Sequence, residues 1–284
     1  MFRVPIAWLA VVLIGGASPV KDAQPAPAKV SNTASAQQPS PNNSPYDAAA
    51  ERELFDLAKQ ARAQAGVSPL QVDEGLMQAA RAHAAAMAGQ QQLSHQFAGE
   101  LSLVQRVAAN CTLHLDQVGE NVAYAGSVDQ AQQGLMHSPP HRENLLNPAY
   151  NVAGFGVVRS GFSLYVAQDF GHSLPAYSPR QAGGLVSGSI ARMRREANLP
   201  QLQWKDSDTA QNGACSMARA DSLKTVSARG SYILRYTTAQ PEILPSAAEK
   251  AIDDRTLRVF SVGTCYARTN TYPNGVYWVT LVLQ

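Results

Sequence analysis

The sequence predicts an α+β layered domain followed by a second, smaller α+β lobe. Three observations carry that expectation. Two early stretches place apolar residues at helical spacing, the pattern changes to a period of two beyond Pro148, and the same order of segments returns in diluted form after residue 184.

Arg3, the apolar run Val4 to Ile14 and the small residues Gly15, Gly16 and Ala17 read as a secretory signal peptide over residues 1–17. The competing reading is a signal retained as an anchor. No other stretch approaches the roughly 20 apolar residues of a membrane span. Residues 18–45 are mostly Pro, Ala, Ser, Gln and Asn, too poor in apolar side chains to offset ordering entropy, and are expected to form a low-complexity tether. The formal net charge of +2, the sparse 15% of charged residues and the lack of a Lys/Arg cluster with interleaved aromatics argue against nucleic acid as a partner. Three cysteines, Cys111, Cys215 and Cys265, fit an exported chain with one disulfide. Pairing of Cys215 with Cys265 is expected because both lie in the C-terminal half, leaving Cys111 buried or open to another molecule.

Asp47 can cap a helix with Leu54, Leu57, Ala58, Ala61 and Ala65 on one face, and Gly66 supplies a left-handed stop. A second helix is expected from about Glu74 to Ala88, capped by Asp73 and ended by Gly89. His83 falls on its apolar stripe, so a core imidazole with one backbone partner is favoured over a ligand. From His95 through Cys111 and His114 the chain reads as polar and irregular. Cys111 and His114 have the spacing of half a zinc site without a second half, and count as loop residues.

The candidate site lies between Gly119 and Pro148. Gly119-Glu120-Asn121 precedes a helix expected over Val128 to His137, introduced by the Ser127/Gln130 capping box. Ser138 then reads as an N-cap with Pro139 at the first helical position and His141 in the first turn. The helix N-terminus there biases His141 toward the neutral imidazole. His137 and His141 are four apart, but Pro139 and Pro140 between them rule out the one-face pair of a zinc protease. With His95 upstream, the carboxylate of Glu120 and two imidazoles form the expected trio. Residues 154–159 and 162–170 read as strands of a hairpin about Ser160-Gly161.

The order of Gly66-Val67-Ser68-Pro69-Leu70, the Ala-rich helix with His83, Ser94-His95, Arg106, Gly119-Glu120-Asn121, Ser138-Pro139-Pro140-His141-Arg142, Asn147-Pro148, Gly154-Phe155-Gly156-Val157 and a closing strand to Phe170 resembles the CAP superfamily of cysteine-rich secretory proteins, antigen 5 and pathogenesis-related 1, in its bacterial exported branch. The resemblance covers about Tyr46 to Gly171. It implies an α-β-α sandwich with a cleft that holds two His and two acids, and in many members a divalent cation. Carried over by position, His95, Glu120 and His141 match three of the four, and they are the expected ligands of a cation, zinc first. The second acid is replaced by Ser138, three residues after Leu135, and Glu143 lies nearby. Ser138 and Asn121 complete the expected cleft.

Residues 173–184 read as a linker between a first domain at 46–172 and a second lobe at 185–284. Arg195 to Trp204 echoes Arg62 to Val72 with Asn198 in place of Gly66, a helix at about 207–223 sets Cys215 in the place of His83, and strands are expected at 257–266 and 276–283. The lobe reads as a degenerate CAP repeat. No His follows His172, so it cannot repeat the site.

Three functions compete: a binding module for an extracellular lipid, glycan or protein, with or without a cation; a hydrolase in which Glu120 orients a His that activates Ser94, Ser138 or a metal-bound water; and an envelope structural protein. The absence of a Gly-x-Ser-x-Gly elbow counts against the serine hydrolase.

Overall fold

The computed structural model describes residues 45–224 and 232–284; the expected signal peptide and all but the end of the expected tether lie outside them. Helix α1 (Ala48–Gln64) starts where Asp47 accepts a hydrogen bond from the Ala50 amide at 3.0 Å, and it buries Leu54 and Ala58. After Gly66 (φ +70°) come strand β1 (Gln71–Val72) and helix α2 (Glu74–Gln90), capped by Asp73. Gly89 does not end α2: the helix passes through it, and Gln91 takes the left-handed turn at φ 51°.

The stretch expected to be irregular contains helix α3 (Leu103–Asn110), set by a Ser102/Gln105 capping box. Strand β2 (His114–Ala125), helix α4 (Val128–His137), helix α5 (Pro139–Leu145), strand β3 (Val152–Ser160) and strand β4 (Ser163–Leu174) follow. The strand order is β1-β3-β4-β2, with β1 parallel to β3 and the other pairs antiparallel, so β2 is an edge.

Helices cover both faces of this sheet. A Cβ on Gly154 would lie 1.9 Å from the Met77 amide nitrogen and one on Gly156 2.3 Å from that of Arg81, so α2 rests directly on β3 where side chains are missing. Phe155, pointing the other way, meets Phe55 of α1 and Phe170. Every residue of β4 from Leu164 to Gly171 is therefore buried, as expected of a strand sandwiched between two helical layers.

The connector is shorter than expected. Strand β4 runs to Leu174 and helix α6 (Pro179–Glu196) begins at once, because Ser178 and Gln181 form a capping box with Pro179 at the first position. Strand β5 (Gln203–Trp204), helix α7 (Asp208–Ala220), strand β6 (Tyr232–Thr238), helix α8 (Ser246–Ile252), strand β7 (Val259–Ala267) and strand β8 (Val276–Leu283) complete the chain. Their order, β5-β7-β8-β6, repeats that of the first sheet, with the same parallel and antiparallel pairings.

The correspondence reaches single residues. Arg62 donates to the carbonyls of Ser68, Leu145, Asn147 and Tyr150, and the equally buried Arg194 donates to those of Pro200, Ile252 and Asp254. Gln91 and Asp221 end α2 and α7 in the same left-handed conformation. Counting back from those caps sets Gly213, not Cys215, at the place of His83. Cys215 instead forms a disulfide with Cys265 of β7. Cys111 is buried and free, its thiol pushed up to about 11, first by burial.

Among the described residues no helix is long and apolar enough to cross a membrane. Two glycines test the packing account. Gly154→Ala is expected to cost about 3 kcal/mol or more, at the upper end of overpacking. Gly89→Ala, whose Cβ meets nothing within 4 Å, is expected to stabilise by about 0.5–1 kcal/mol. Thermal unfolding of both variants beside the parent reads the two signs.

Candidate functional site

Alternation along the edge strand β2 builds the site. Glu120 points toward α2 and α3, and Asn121 toward α5. On the first side, Glu120 accepts hydrogen bonds from Arg106 Nη2 and from His95 Nδ1 at 3.0 Å, while His83 Nε2 stands 3.8 Å away. On the second, Asn121 Nδ2 donates to the His141 carbonyl at 2.9 Å and to Gln168 Oε1 at 3.2 Å, and Asn144 Nδ2 donates to the Glu120 carbonyl at 3.1 Å. The loop before α3 on one side and α5 on the other thus deliver one imidazole each past the open edge of the sheet. The rings of His95 and His141 face each other at 6.2 Å with 26° between their planes. The structure brings together all three residues of the expected trio, with Asn121 and Ser138 beside them.

The hydrogen-bond partners set what each ring can do. A carboxylate only accepts, so His95 carries its proton on Nδ1 toward Glu120 and leaves Nε2 to the exterior. His141 Nδ1 shares a 2.8 Å hydrogen bond with Ser138 Oγ. Ser138 precedes α5 as expected, but its side chain makes no cap bond because the hydroxyl is committed to the ring. The pKa of His141 is lowered, first by burial and then by His95, so the expected neutral bias holds with a different cause. His83 is fully buried between Glu100 Oε1 at 2.7 Å and the Ser94 carbonyl at 2.8 Å. Both neighbours are hydrogen-bond acceptors.

Nucleophilic geometry is absent from these contacts. Ser94 Oγ donates to the Gln96 carbonyl, and Ser138 bonds His141. The His that carries an acid has no Ser, and the His that carries a Ser has no acid. Glu143 does not supply the second carboxylate: it is exposed and lines a groove with Met136, His137 and Pro139.

A second buried carboxylate, which sequence reasoning passed over, is Asp169. It sits directly opposite Glu120 in the β2/β4 register, fully buried, with no hydrogen-bond partner on either oxygen. Burial, and then the charge of Glu120, raises its pKa well above the usual carboxylate range. The protonated acid gains an O–H that it can direct at Glu120. One signal was available: Asp169 is the sole charged residue between Leu164 and Phe170, in a strand apolar on both faces.

Glu120 uses Oε1 on His95 and Oε2 on Arg106, and both Nδ1 atoms are engaged. Only two Nε2 atoms remain, and among the described residues no group of three or more His, Cys, Asp and Glu side chains is placed to hold a metal ion. A three-ligand zinc site that includes Glu120 does not fit this arrangement.

The sequence model of the cysteine-rich secretory protein family, CAP, matches residues 55–170, which supports the resemblance of the first lobe to the CAP superfamily. It is 29% identical over 125 residues to the uncharacterized protein YkwD of Bacillus subtilis (strain 168), a match covering 43% of this chain and 47% of the relative. It is 33% identical over 124 residues to the uncharacterized membrane protein YlbC of the same organism, covering 42% of this chain and 34% of the relative. The chain thus spans less than half the length of either. A solved extracellular protein containing an SCP domain from Bacillus anthracis str. Ames is 25% identical, with 44% of this chain and 41% of that one covered and a TM-score of 0.40.

The state of Asp169 has a measurable consequence. Its raised native pKa means that the folded chain holds a proton that the unfolded chain releases near pH 4, so stability falls as pH rises above that value. Asp169→Asn, a neutral isostere, is expected to gain on the parent over the same window by up to about 1.4 kcal/mol per pH unit. Chemical denaturation from pH 4 to pH 8 checks this, and parallel curves for the two proteins would contradict it.

Proposed function

We propose that this is an exported CAP-domain binding module that recognises an extracellular ligand, a lipid, glycan or protein, at the His95–His141 face, with Asn121 and Ser138 fixing the two rings. The observation that carries the reading is the use of the acids. Glu120 is consumed in orienting His95 and Arg106, Asp169 is buried behind it, and what reaches the exterior is a pair of imidazole Nε2 atoms, the one hydroxyl beside them, Ser138, being bonded to a ring that has no acid partner. Export is supported by the disulfide and by the signal-like segment at residues 1–17. A divalent cation on this reading is held by His95 and His141 alone, completed by ligand or solvent atoms, with Glu120 as the group that orients His95.

The domain plan follows. Residues 18–45 tether the folded part, 46–172 form the CAP domain, and 185–284 form a degenerate CAP repeat. The repeat is supported by the shared strand order and by the register, which sets Ile233 and Val282 where the first sheet has Glu120 and Asp169.

The test compares the mature protein with a His95→Ala/His141→Ala double variant whose fold is verified by circular dichroism. Each is measured for zinc content and for retention of lipid vesicles, glycan arrays and envelope proteins. The expected result is no stoichiometric zinc after chelation and a ligand retained by the parent and lost by the folded variant. A ligand retained equally by both would move the contact surface elsewhere. Ester or peptide hydrolysis abolished by His141→Ala would replace this reading with the hydrolase.

A further inference from the structure

We propose that Arg268, from the second lobe, is a positioning residue for the His95–Glu120 face. Helix α3 has eight residues, too few to hold its shape without help. Its last turn and the loop after it carry outward carbonyls, and Arg268 gathers three of them. Nη1 donates to Ala108 O at 3.1 Å and to Cys111 O at 2.6 Å, and Nη2 donates to Leu113 O at 2.7 Å. A guanidinium at a helix C-terminus satisfies both the unpaired acceptors and the negative end of the dipole.

The two segments gripped by Arg268 are the ones that place the site. Two residues before Ala108, Arg106 donates to Leu101 O at 3.0 Å, reaches the His95 carbonyl at 3.4 Å and pairs with Glu120. One residue after Leu113, β2 begins, and six positions along it stands Glu120. The same contact zone holds the His114 ring against Tyr266 and Tyr277, at 4.9 and 5.5 Å, and Gln240 Nε2 on Asp116 at 3.3 Å. Helix α3 also packs inward, with Val107 and Cys111 among Leu76, Ala79 and Val152. Loss of Arg268 therefore loosens α3 rather than unfolding the lobe. The second lobe, which has no His of its own, acts on the site through this clamp.

The consequence for ligand recognition rests on the proposed function above; the coupling itself is read without a ligand. Arg268→Ala and Arg268→Lys are made in the mature chain and followed by NMR with labelled histidine rings and by amide hydrogen exchange. In Arg268→Ala the ring signals of His95 and His141 are expected to shift, and protection of α3 amides to fall about tenfold or more. His137, on the exposed end of α4, is expected to stay in place, and Arg268→Lys to restore part of the parent spectrum.

A folded Arg268→Ala protein with parent-like His95 signals and α3 protection overturns the proposal. If that variant does not fold, Arg268→Lys decides: a smaller shift of His95 supports the clamp, and an unchanged His95 overturns it. Coupling found in a protein that retains no ligand supports this inference while removing the proposed function. Ligand retention that depends on His95 and His141, in a protein whose site ignores Arg268, does the reverse.

Discussion

The carboxylate of Glu120 joins an edge strand, a short helix and a loop. An ionised carboxylate withdrawn from water costs several kcal/mol unless it is paired, and here the pairing is supplied by Arg106 from α3 and His95 from the loop before it. Neither of those groups is fixed by apolar packing alone, since α3 is brief and His95 is largely exposed. The charge of Glu120 therefore does for this corner what a core does elsewhere: it sets where the neighbouring backbone lies. Arg106 extends the effect by bonding the His95 and Leu101 carbonyls, so that one guanidinium holds both the side chain that orients the ring and the backbone that carries it.

The two faces of the sheet divide the work. Toward α2 and α3 lie the ionisable groups, Glu120, Asp169, His83 and Arg106; toward α5 lie the amides, Asn121, Gln168 and Asn144. The amide network holds the His141 backbone, and the charged network holds the His95 ring. The rings meet only because the strand between them is an edge; on an interior strand a neighbour would fill the gap. This accounts for a pair of imidazoles that share a site while differing in protonation partners, one backed by an acid and the other by a hydroxyl.

Much of this was legible in the sequence where local rules act alone. Asp47, Asp73 and Ser127 cap their helices as expected, α4 has the expected bounds, and the hairpin turns near Gly161. Helix α3 was missed although Ser102 and Gln105 spell its capping box, because eight residues carry too little apolar periodicity and one of its inward positions is Arg106. Ser138 was assigned a cap bond that it gives to His141 instead, a choice between two nearby partners that spacing does not rank. Asp169 escaped for a different reason: its partner is 49 positions away, and only the strand register reveals that two acids lie side by side. The cation ligands were carried over by position from the CAP resemblance, and hydrogen bonding has already claimed the carboxylate among them.

The register that pairs Glu120 with Asp169 pairs Ile233 with Val282 in the second sheet. One chain thus holds the same scaffold with and without a buried ionisable pair at that position. The sheet with the apolar pair has nothing there to titrate, so rising pH can soften the first sheet at this point while the second keeps its packing. Because the second sheet also carries the arm that grips α3, the chain is built with a rigid reference frame beside a responsive one. The second sheet, with the same strand order and an apolar pair where the first has its acids, stands as a fixed wall beside it.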